Sequence, residues 1–278
     1  MITLRQLKSS FHKKREDKKM SKKIMVIDTE TVSIDKKFCY NIGYTILEIV
    51  DSENYTVLEK RDFLVKQVWR NTMLFSTAYY ANKKPIYTNM LRHKEDYNNI
   101  SVLKYNEIME AIQKDIDFYN IEFVYAYNSP FDEAVFEFNC DWFKCENPFA
   151  ELPFYDIRAY FIDMVENTSN CYKSWCDKKE YYTDNGNYST TAEIAYRFVT
   201  GEDDFIESHT ALHDSEIESI ILTFCYRYGM DIFSELKAPK MLKREIEKAF
   251  TIKYKNKKYT FKGNSATWYK KKNTFVIR

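Results

Sequence analysis

Glycine and proline are scarce in this chain, with five of each among 278 residues. Flexible linkers and disordered tails are usually rich in these residues, so the sequence leaves little room for either. No apolar run approaches the roughly 20 residues that a membrane span requires. The basic N-terminus also lacks the apolar segment of a secretory signal. We therefore expect a cytoplasmic protein with no membrane partner.

Closely spaced cysteine pairs are also missing, although the chain has six cysteines. Two pairs, Cys140 with Cys145 and Cys171 with Cys176, have four residues between them. Zinc sites usually bring two cysteines closer together in sequence, as in CxxC. In the cytoplasm such thiols stay reduced. The spacing therefore favours structural thiols over a zinc site.

Charge is abundant but unevenly distributed along the chain. Residues 1–23 contain nine basic and two acidic side chains, and residues 237–278 contain fourteen basic and two acidic ones. Since the whole chain carries +1, the residues between these ends carry −18. Basic ends are typical of contact with nucleic acid, and an acidic centre is typical of cation binding or of solubility. The 45% hydrophobic content is enough for one large domain with additions.

Hydrophobic periodicity predicts strands first and then alternating helices and strands. Predicted strands cover residues 23–30, 38–50, 55–65 and 121–128. Predicted helices cover 106–119, 130–138, the later part of 153–165 after a short strand, 191–199 and 209–229. Ser189 or Thr190 can cap the fourth of these helices, and Gly201 can end it. Residues 166–188 show no periodicity and are predicted to be a surface insertion. This order of elements predicts an α/β layer fold with a mixed sheet.

Two acids, Asp28 and Glu30, end the first predicted strand directly after four apolar residues. Side chains two residues apart in a strand share one face, so these carboxylates repel each other at the border of a core. Asp132 and Asp214 follow or begin other predicted elements, and strand ends are where sites in α/β sheets collect. Carboxylate oxygens suit hard cations. The four acids therefore predict a site for two Mg²⁺ or Mn²⁺ ions, the arrangement that catalyses phosphoryl displacement.

A histidine near this site could serve as the general base. His209 precedes Asp214 by five residues and His213 is its neighbour. Histidine is the side chain best suited to accept a proton at neutral pH. The residues alone leave both candidates open.

Three motifs occur in a suggestive order. They are Asp28-x-Glu30, Asn128-x-x-Phe131-Asp132 and His209-x-x-x-x-Asp214. In order and spacing they resemble the three Exo motifs of the DEDDh 3′→5′ exonucleases, the DnaQ-like branch of the ribonuclease H-like superfamily. The resemblance covers about residues 23–229.

Some positions depart from the family pattern. Tyr127 stands where the family commonly has histidine, and Ser215 stands where it has alanine. Thr210 occupies the position at which the tyrosine branch of the superfamily carries tyrosine. The resemblance therefore favours the histidine branch and implies that His209, rather than His213, is the base.

The resemblance implies a ribonuclease H-like mixed five-stranded sheet flanked by helices. Asp28, Glu30, Asp132 and Asp214 would hold the two cations. The implied activity is the release of nucleoside 5′-monophosphates from the 3′ ends of single-stranded nucleic acid, DNA more than RNA. Thr31, Asn128 and Phe131 would contact the substrate, although Asn128 could instead only cap a helix and Phe131 could belong to the core.

The basic C-terminal extension is a second candidate for nucleic-acid contact. We expect a basic N-terminal arm over 1–22, the exonuclease domain over 23–236 and a basic helix plus β-hairpin over 237–278. Lysines there, Lys270, Lys271 and Lys272 among them, alternate with aromatic residues that could stack on bases. The alternative is a hairpin whose aromatics pack on the domain and whose lysines face water.

Other functions and partners remain open from the sequence. Ribonuclease T-like trimming of RNA 3′ ends would use the same residues, because contacts to the 2′-hydroxyl depend on backbone placement. An inactive adaptor for nucleic acid or for a polymerase could have the same fold. A DNA polymerase or another replication protein is a further candidate partner, and the sequence does not determine the oligomeric state.

Overall fold

The structure is a computed structural model that describes residues 21–35, 37–97, 100–167, 170–236 and 241–244, together with the backbone of four short strands within 250–277. The predicted N-terminal arm, apart from its last two residues, lies outside the described residues. Lys270, Lys271 and Lys272 also lie outside them, as does most of the helix expected near the start of the C-terminal extension; residues 241–244, which are described there, are not helical.

One mixed sheet of six strands forms the centre of the molecule, in the order β4-β3-β2-β1-β5-β6. The strands are β1 Lys22–Thr31, β2 Cys39–Ile49, β3 Tyr55–Val65, β4 Ser101–Leu103, β5 Phe123–Ala126 and β6 Phe154–Asp156. The pairs β1–β2 and β2–β3 are antiparallel, and the remaining neighbours are parallel. The predicted mixed α/β sheet is therefore confirmed.

The predicted number of five strands is wrong, because β4 adds a sixth. It pairs in parallel with the last three residues of β3. A strand of three residues, all of them half-buried, is too short to produce an alternating pattern that sequence reading can detect.

Nine α-helices cover the two faces of the sheet in the described ranges. They are α1 Lys66–Trp69, α2 Thr72–Phe75, α3 Lys84–Arg92, α4 Tyr105–Tyr119, α5 Ser129–Phe143, α6 Ile157–Asn167, α7 Cys171–Lys179, α8 Ala192–Thr200 and α9 Ala211–Arg227. No helix in these ranges is both long enough and apolar enough to cross a membrane.

Strand β1 is buried on both faces, which explains its unbroken apolar run. Met25 and Ile27 belong to the core on the α4 and α5 side of the sheet. Ile24 and Val26 belong to the core on the α6 and α9 side. Since side chains alternate along a strand, the residues that follow Val26 on the same face lie towards α9.

Two local predictions around α7 and α8 differ from the structure. The cap of α8 is Thr191, whose hydroxyl accepts the N–H of Ile194, rather than Ser189 or Thr190. Residues 166–188, predicted as an insertion without periodicity, contain α7, and its Tyr172 and Cys176 are buried in the core. Contacts made by these two side chains, and not an amphipathic repeat, stabilise α7.

The C-terminal extension contains two β-hairpins where the sequence predicts one. Strands β7 Phe250–Tyr254 and β8 Lys257–Phe261 form the first, and β9 Ala266–Tyr269 and β10 Thr274–Ile277 form the second. Each strand has four or five residues, so the alternation was too short to separate one hairpin from two.

Candidate metal centre and general base

The four acids predicted from sequence come from three elements that meet at one edge of the sheet. Asp28 and Glu30 end β1 on the face towards α9. Asp132 lies in the first turn of α5, which follows β5. Asp214 lies in the first turn of α9. The parallel pairing of β5 with β1 places the start of α5 beside the end of β1.

The carboxylates are close together and largely buried. Ligand atoms of Glu30, His209 and Asp214 all lie within 4.8 Å of one another. Exposed fractions are 8% for Glu30, 2% for Asp132 and 3% for Asp214, and Asp28 is partly buried. The Thr29 hydroxyl, on the opposite face of β1, donates to Asp132 Oδ1 at 2.6 Å. The structure therefore brings Glu30, Asp214 and His209 together, and Asp28 and Asp132 lie near enough for the carboxylate charges to act on one another.

Burial raises the pKa of every acid in this cluster, and repulsion between the carboxylates adds to the shift for Asp28 and Glu30. For Asp28 the largest cause is burial, followed by the negative charges of Glu218 and Asp214. Burial, then Asp214, raises the pKa of Glu30, and the hydroxyl of Tyr40 opposes this. Burial raises the pKa of Asp132 to about 7, although the bond from Thr29 opposes it. The cluster concentrates negative charge where water cannot screen it.

Two carboxylate oxygens in the cluster have no hydrogen-bond partner although they are buried, Asp28 Oδ2 and Asp214 Oδ1. Among the described residues, no lysine or arginine forms an ion pair with any of the four acids. A buried carboxylate oxygen without a partner is costly. Hard divalent cations prefer oxygen ligands, and carboxylate oxygens of this kind can coordinate them. The residues therefore fit the predicted magnesium or manganese ions.

His209 precedes Thr210, the N-cap of α9, and contacts on two sides restrain its ring. The ring stacks on Tyr80, with 4.4 Å between centroids and 15° between planes. Its Nδ1 lies 3.8 Å from Glu207 Oε2. Burial lowers the pKa of His209, although the charge of Asp214 opposes the shift. A half-buried neutral imidazole beside the acids can accept a proton.

His213 has different surroundings, although it is the sequence neighbour of Asp214. Its Nδ1 lies 3.0 Å from the Ser208 hydroxyl and 3.7 Å from Asp214 Oδ1. Its ring stacks over Phe205. The interaction with Asp214 raises the pKa of His213, so this ring is more readily charged than His209 and less suited to act as a base.

Two further acids, Glu218 and Glu207, lie next to the cluster, and the sequence analysis did not single them out. Glu218 is 3% exposed and lies one helical turn after Asp214; its Oε2 accepts the N–H of Tyr127 at 3.2 Å. Burial and then Asp214 raise the pKa of Glu207 to about 8. The four-residue spacing from Asp214 on one helix face was the available signal for Glu218. No comparable signal marked Glu207.

The three residues expected to contact substrate differ in their surroundings and exposure. Thr31 is 9% exposed, and its hydroxyl donates to the carbonyl of Ser33. Phe131 is partly buried and packs against the core. Asn128 is exposed at the N-cap of α5, yet its side chain makes no capping hydrogen bond. The structure therefore leaves Asn128 free for a ligand and gives Phe131 at least a packing role.

Asn128 has a left-handed backbone conformation, with φ of 67°. Its N–H donates to Asp156 Oδ1 at 2.8 Å, and the same oxygen accepts the N–H of Arg158. Asp156, at the end of β6, therefore holds the β5–α5 connection that leads to Asp132. The neighbouring Tyr127 donates its hydroxyl to the carbonyl of Thr190.

Comparison with known proteins identifies no family for this chain. No family model matches the sequence, and no curated protein sequence matches it. Among solved structures, E. coli exonuclease I in complex with a dA16 oligonucleotide is similar with a TM-score of 0.36 and 12% identity. The match covers 73% of this chain and 40% of that one, so the chain spans less than half of that enzyme. A likeness at this level assigns no function, and the acidic cluster alone supports the proposal below.

Proposed function

We propose that this chain is a metal-dependent 3′→5′ exonuclease that releases nucleoside 5′-monophosphates from single-stranded nucleic acid. The observation that carries the proposal is the gathering of Glu30, His209 and Asp214 within 4.8 Å, with Asp28 and Asp132 beside them. Among the described residues, no lysine or arginine forms an ion pair with these acids. A structural cluster of acids would be paired with lysine or arginine. An unpaired one with an adjacent histidine suits hydrolysis assisted by cations.

Each side chain has a role in this proposal. Asp28, Glu30, Asp132 and Asp214 would hold two Mg²⁺ or Mn²⁺ ions. Such ions, when bound, activate water and offset the charge that develops on the attacking and leaving oxygens. His209 accepts a proton from the attacking water, and we assign this step to Nε2 because Nδ1 lies towards Glu207. Stacking on Tyr80 holds the ring in place during the transfer.

The substrate proposed is a single-stranded 3′ end, because an unpaired terminal nucleotide enters a cleft without the cost of melting a duplex. DNA is proposed in preference to RNA. Thr31, Asn128 and Phe131 are proposed to contact it. A polymerase or replication protein is proposed only as a partner to be tested, and a cytoplasmic location follows from the sequence expectation. RNA trimming and an inactive adaptor are the alternative outcomes of the experiment below.

The decisive experiment incubates the purified chain with end-labelled single-stranded DNA and RNA of the same sequence, in Mn²⁺ or in chelator. The proposal predicts stepwise shortening from the 3′ end of DNA, with mononucleotide product, and none in chelator. Shortening of RNA alone would favour trimming. Binding without shortening would favour the adaptor.

Substitutions then connect the activity to the cluster. Asp28→Ala and Asp214→Ala should each abolish shortening and leave the protein folded, because loss of a buried repelling charge does not cost stability. Glu110→Ala, at an exposed carboxylate on α4, is the matched control and should retain full activity. Undiminished digestion by Asp28→Ala in Mg²⁺ would contradict the assignment.

A further inference from the structure

His209 has a backbone conformation that non-glycine residues rarely adopt, with φ of 52°. Such a conformation persists only where surrounding contacts maintain it. The next residue, Thr210, is the N-cap of α9, but its side chain makes no capping hydrogen bond. The first turn of α9 therefore obtains its fixing contacts from another part of the chain.

Asn41 of β2 supplies that contact. Its Oδ1 accepts the N–H of Ala211, the first residue of α9, at 2.8 Å. The same Oδ1 accepts the hydroxyl of Tyr87 at 2.9 Å. Its Nδ2 donates to Asp62 Oδ1 at 2.6 Å and to the carbonyl of Phe63 at 3.0 Å.

All four hydrogen-bonding positions of this amide are used, and the side chain is fully buried. The backbone N–H of Ala211 can only donate, and the carbonyl of Phe63 can only accept. The amide therefore has one orientation in which both are satisfied, with Oδ1 towards α9 and Nδ2 towards β3. An amide held in this way defines the position of the group it bonds.

The strand register places Asn41 in the row of the catalytic acids. Asn41 lies directly across from Glu30, and Gly43 lies directly across from Asp28. A Cβ atom at Gly43 would lie 2.0 Å from the backbone nitrogen of Leu212, so the start of α9 rests on β2 at this point. The contact between Asn41 and Ala211 therefore sits between the acids of β1 and the turn that carries His209.

We propose that Asn41 is a positioning residue that holds the His209–Ala211 turn, and with it the His209 ring, against the acidic cluster. The catalytic part of this inference rests on the proposed function, whereas the placement of the ring does not. Tyr87 assists, because its hydroxyl bonds Asn41 and lies 3.5 Å from the carbonyl of His209. A residue with this role acts through His209 and does not touch substrate.

The test measures the position of the ring separately from activity. Stacking on Tyr80 shifts the ring-proton resonance of His209 upfield in protein labelled with ¹³C-histidine, and His209→Gln assigns the signal. Asn41→Ala should move this resonance towards that of Tyr80→Leu, in which the stacking partner is absent. It should also lower kcat by about 10- to 100-fold, the range for a reacting group displaced by about 1 Å. KM for the oligonucleotide should change by less than about twofold.

Thr45→Val is the matched control. Thr45 lies four residues further along the same face of β2 and contacts α9 through the Ser215 hydroxyl at 3.1 Å. This substitution removes a buried hydrogen bond between the same two elements, so it should lower the melting temperature. It should leave the His209 resonance at its position in the parent protein. It should also leave kcat within about twofold of the parent value. Equal effects of both variants on the resonance would overturn the inference.

If Asn41→Ala fails to fold, a second pair of variants decides. Asn41→Leu combined with Asp62→Leu removes both members of the buried pair, and replacing both partners with apolar groups of similar shape is often tolerated. Asp62→Leu alone keeps the bond from Ala211 to Asn41. The double variant should lose the shifted His209 resonance and Asp62→Leu should retain it. Retention in both would show that Asn41 does not position the ring, whether or not the chain proves to be a nuclease.

Discussion

Two histidines lie within five residues of each other before Asp214, and their side chains differ in what they can do. His209 stacks on Tyr80 beside Glu30 and Asp214, whereas His213 is bonded to Ser208 and stacks over Phe205. Burial lowers the pKa of His209, and Asp214 raises that of His213. At the scale of single residues, neutrality and proximity to both Glu30 and Asp214 favour His209 as the proton acceptor.

His209→Ala should therefore lower kcat by about 10²- to 10⁴-fold, the usual contribution of a positioned base. Mn²⁺ binding, measured by calorimetry, should persist because the four acids remain. His213→Ala is the paired comparison and should reduce kcat far less. An equal or larger loss at His213 would reverse the assignment of the base.

Buried acids also make the stability of the metal-free protein depend on pH. Burial raises the pKa of Asp132 and of Asp62 to about 7, above the value near 4 of an unfolded chain. The folded state then binds protons more readily, so this stabilisation is complete below pH 4 and is lost as the pH rises through about 7. The loss is at most about 1.4 kcal/mol per pH unit for each group.

In chelator, the melting temperature should therefore fall between pH 5 and pH 8, and Mn²⁺ should raise it more at pH 8 than at pH 5. Asp62→Asn should flatten the decline, since it removes one of the titrating groups and its amide oxygen can still accept from Asn41. A melting temperature that rises over this range in chelator would show that these carboxyl groups are ionised without cost in the fold.

At the scale of elements, the approach of α9 to β2 determines where Asp214 and His209 stand. Gly43 permits this approach because it has no side chain, and Thr45 bonds Ser215 further along the same contact. The first half of the β2 face towards α9 therefore carries the small or polar residues Asn41, Gly43 and Thr45, whereas Leu47 and Ile49 further along belong to the apolar core. A side chain at position 43 would collide with the backbone of Ala211 and Leu212, which cannot move aside as the end of a flexible side chain could.

Gly43→Ala should shift the start of α9, lower stability by about 1–3 kcal/mol as in other overpacked contacts, and reduce kcat. Gly201→Ala is the matched control, since Gly201 ends α8 with φ of 80° and nothing lies within 4 Å of an added Cβ. That change should cost about 1 kcal/mol of backbone strain and leave kcat unchanged. Urea denaturation and initial rates of both variants separate the two effects. Full activity in Gly43→Ala would mean that the position of α9 is not critical.

At the scale of the whole molecule, an acidic centre of −18 lies between basic ends of +7 and +12. Some of these acids form the proposed cation site, and the basic C-terminal segment is proposed to bind the strand upstream of that site. The backbone there forms two hairpins, which suits a small surface with lysines on one side. Salt dependence distinguishes phosphate contact from a purely structural extension.

Replacing Lys270, Lys271 and Lys272 with Gln should raise KM on long strands and leave short oligonucleotides nearly unaffected. The slope of log affinity against log salt should flatten by about 0.7 for each phosphate that a lysine no longer neutralises. Removal of residues 250–278 should give a larger effect of the same kind, with kcat retained. An unchanged slope in both variants, with the truncated protein folded, would assign the extension to packing or to another partner.

The sequence by itself determined the central strands, the main helices and the acids of the candidate site. A strand with both faces buried reads as an apolar run, so β1 and the acids that end it stand out along the chain. Helices α4, α5 and α9 carry a repeat of several turns or a clear start or stop signal, such as Pro130 and Gly229. Each of these features depends on residues close together in sequence.

Only the tertiary structure decided the features that depend on distant residues. Strand β4 exists because three residues meet the end of β3, and α7 because Tyr172 and Cys176 find room in the core. Glu207 and Glu218 became part of the acidic cluster through the path of the chain around α9. Asn41 contacts Ala211 across 170 positions. An asparagine in a strand gives no sign of such a contact, since its hydrogen-bond partners are determined by packing and not by its neighbours in sequence.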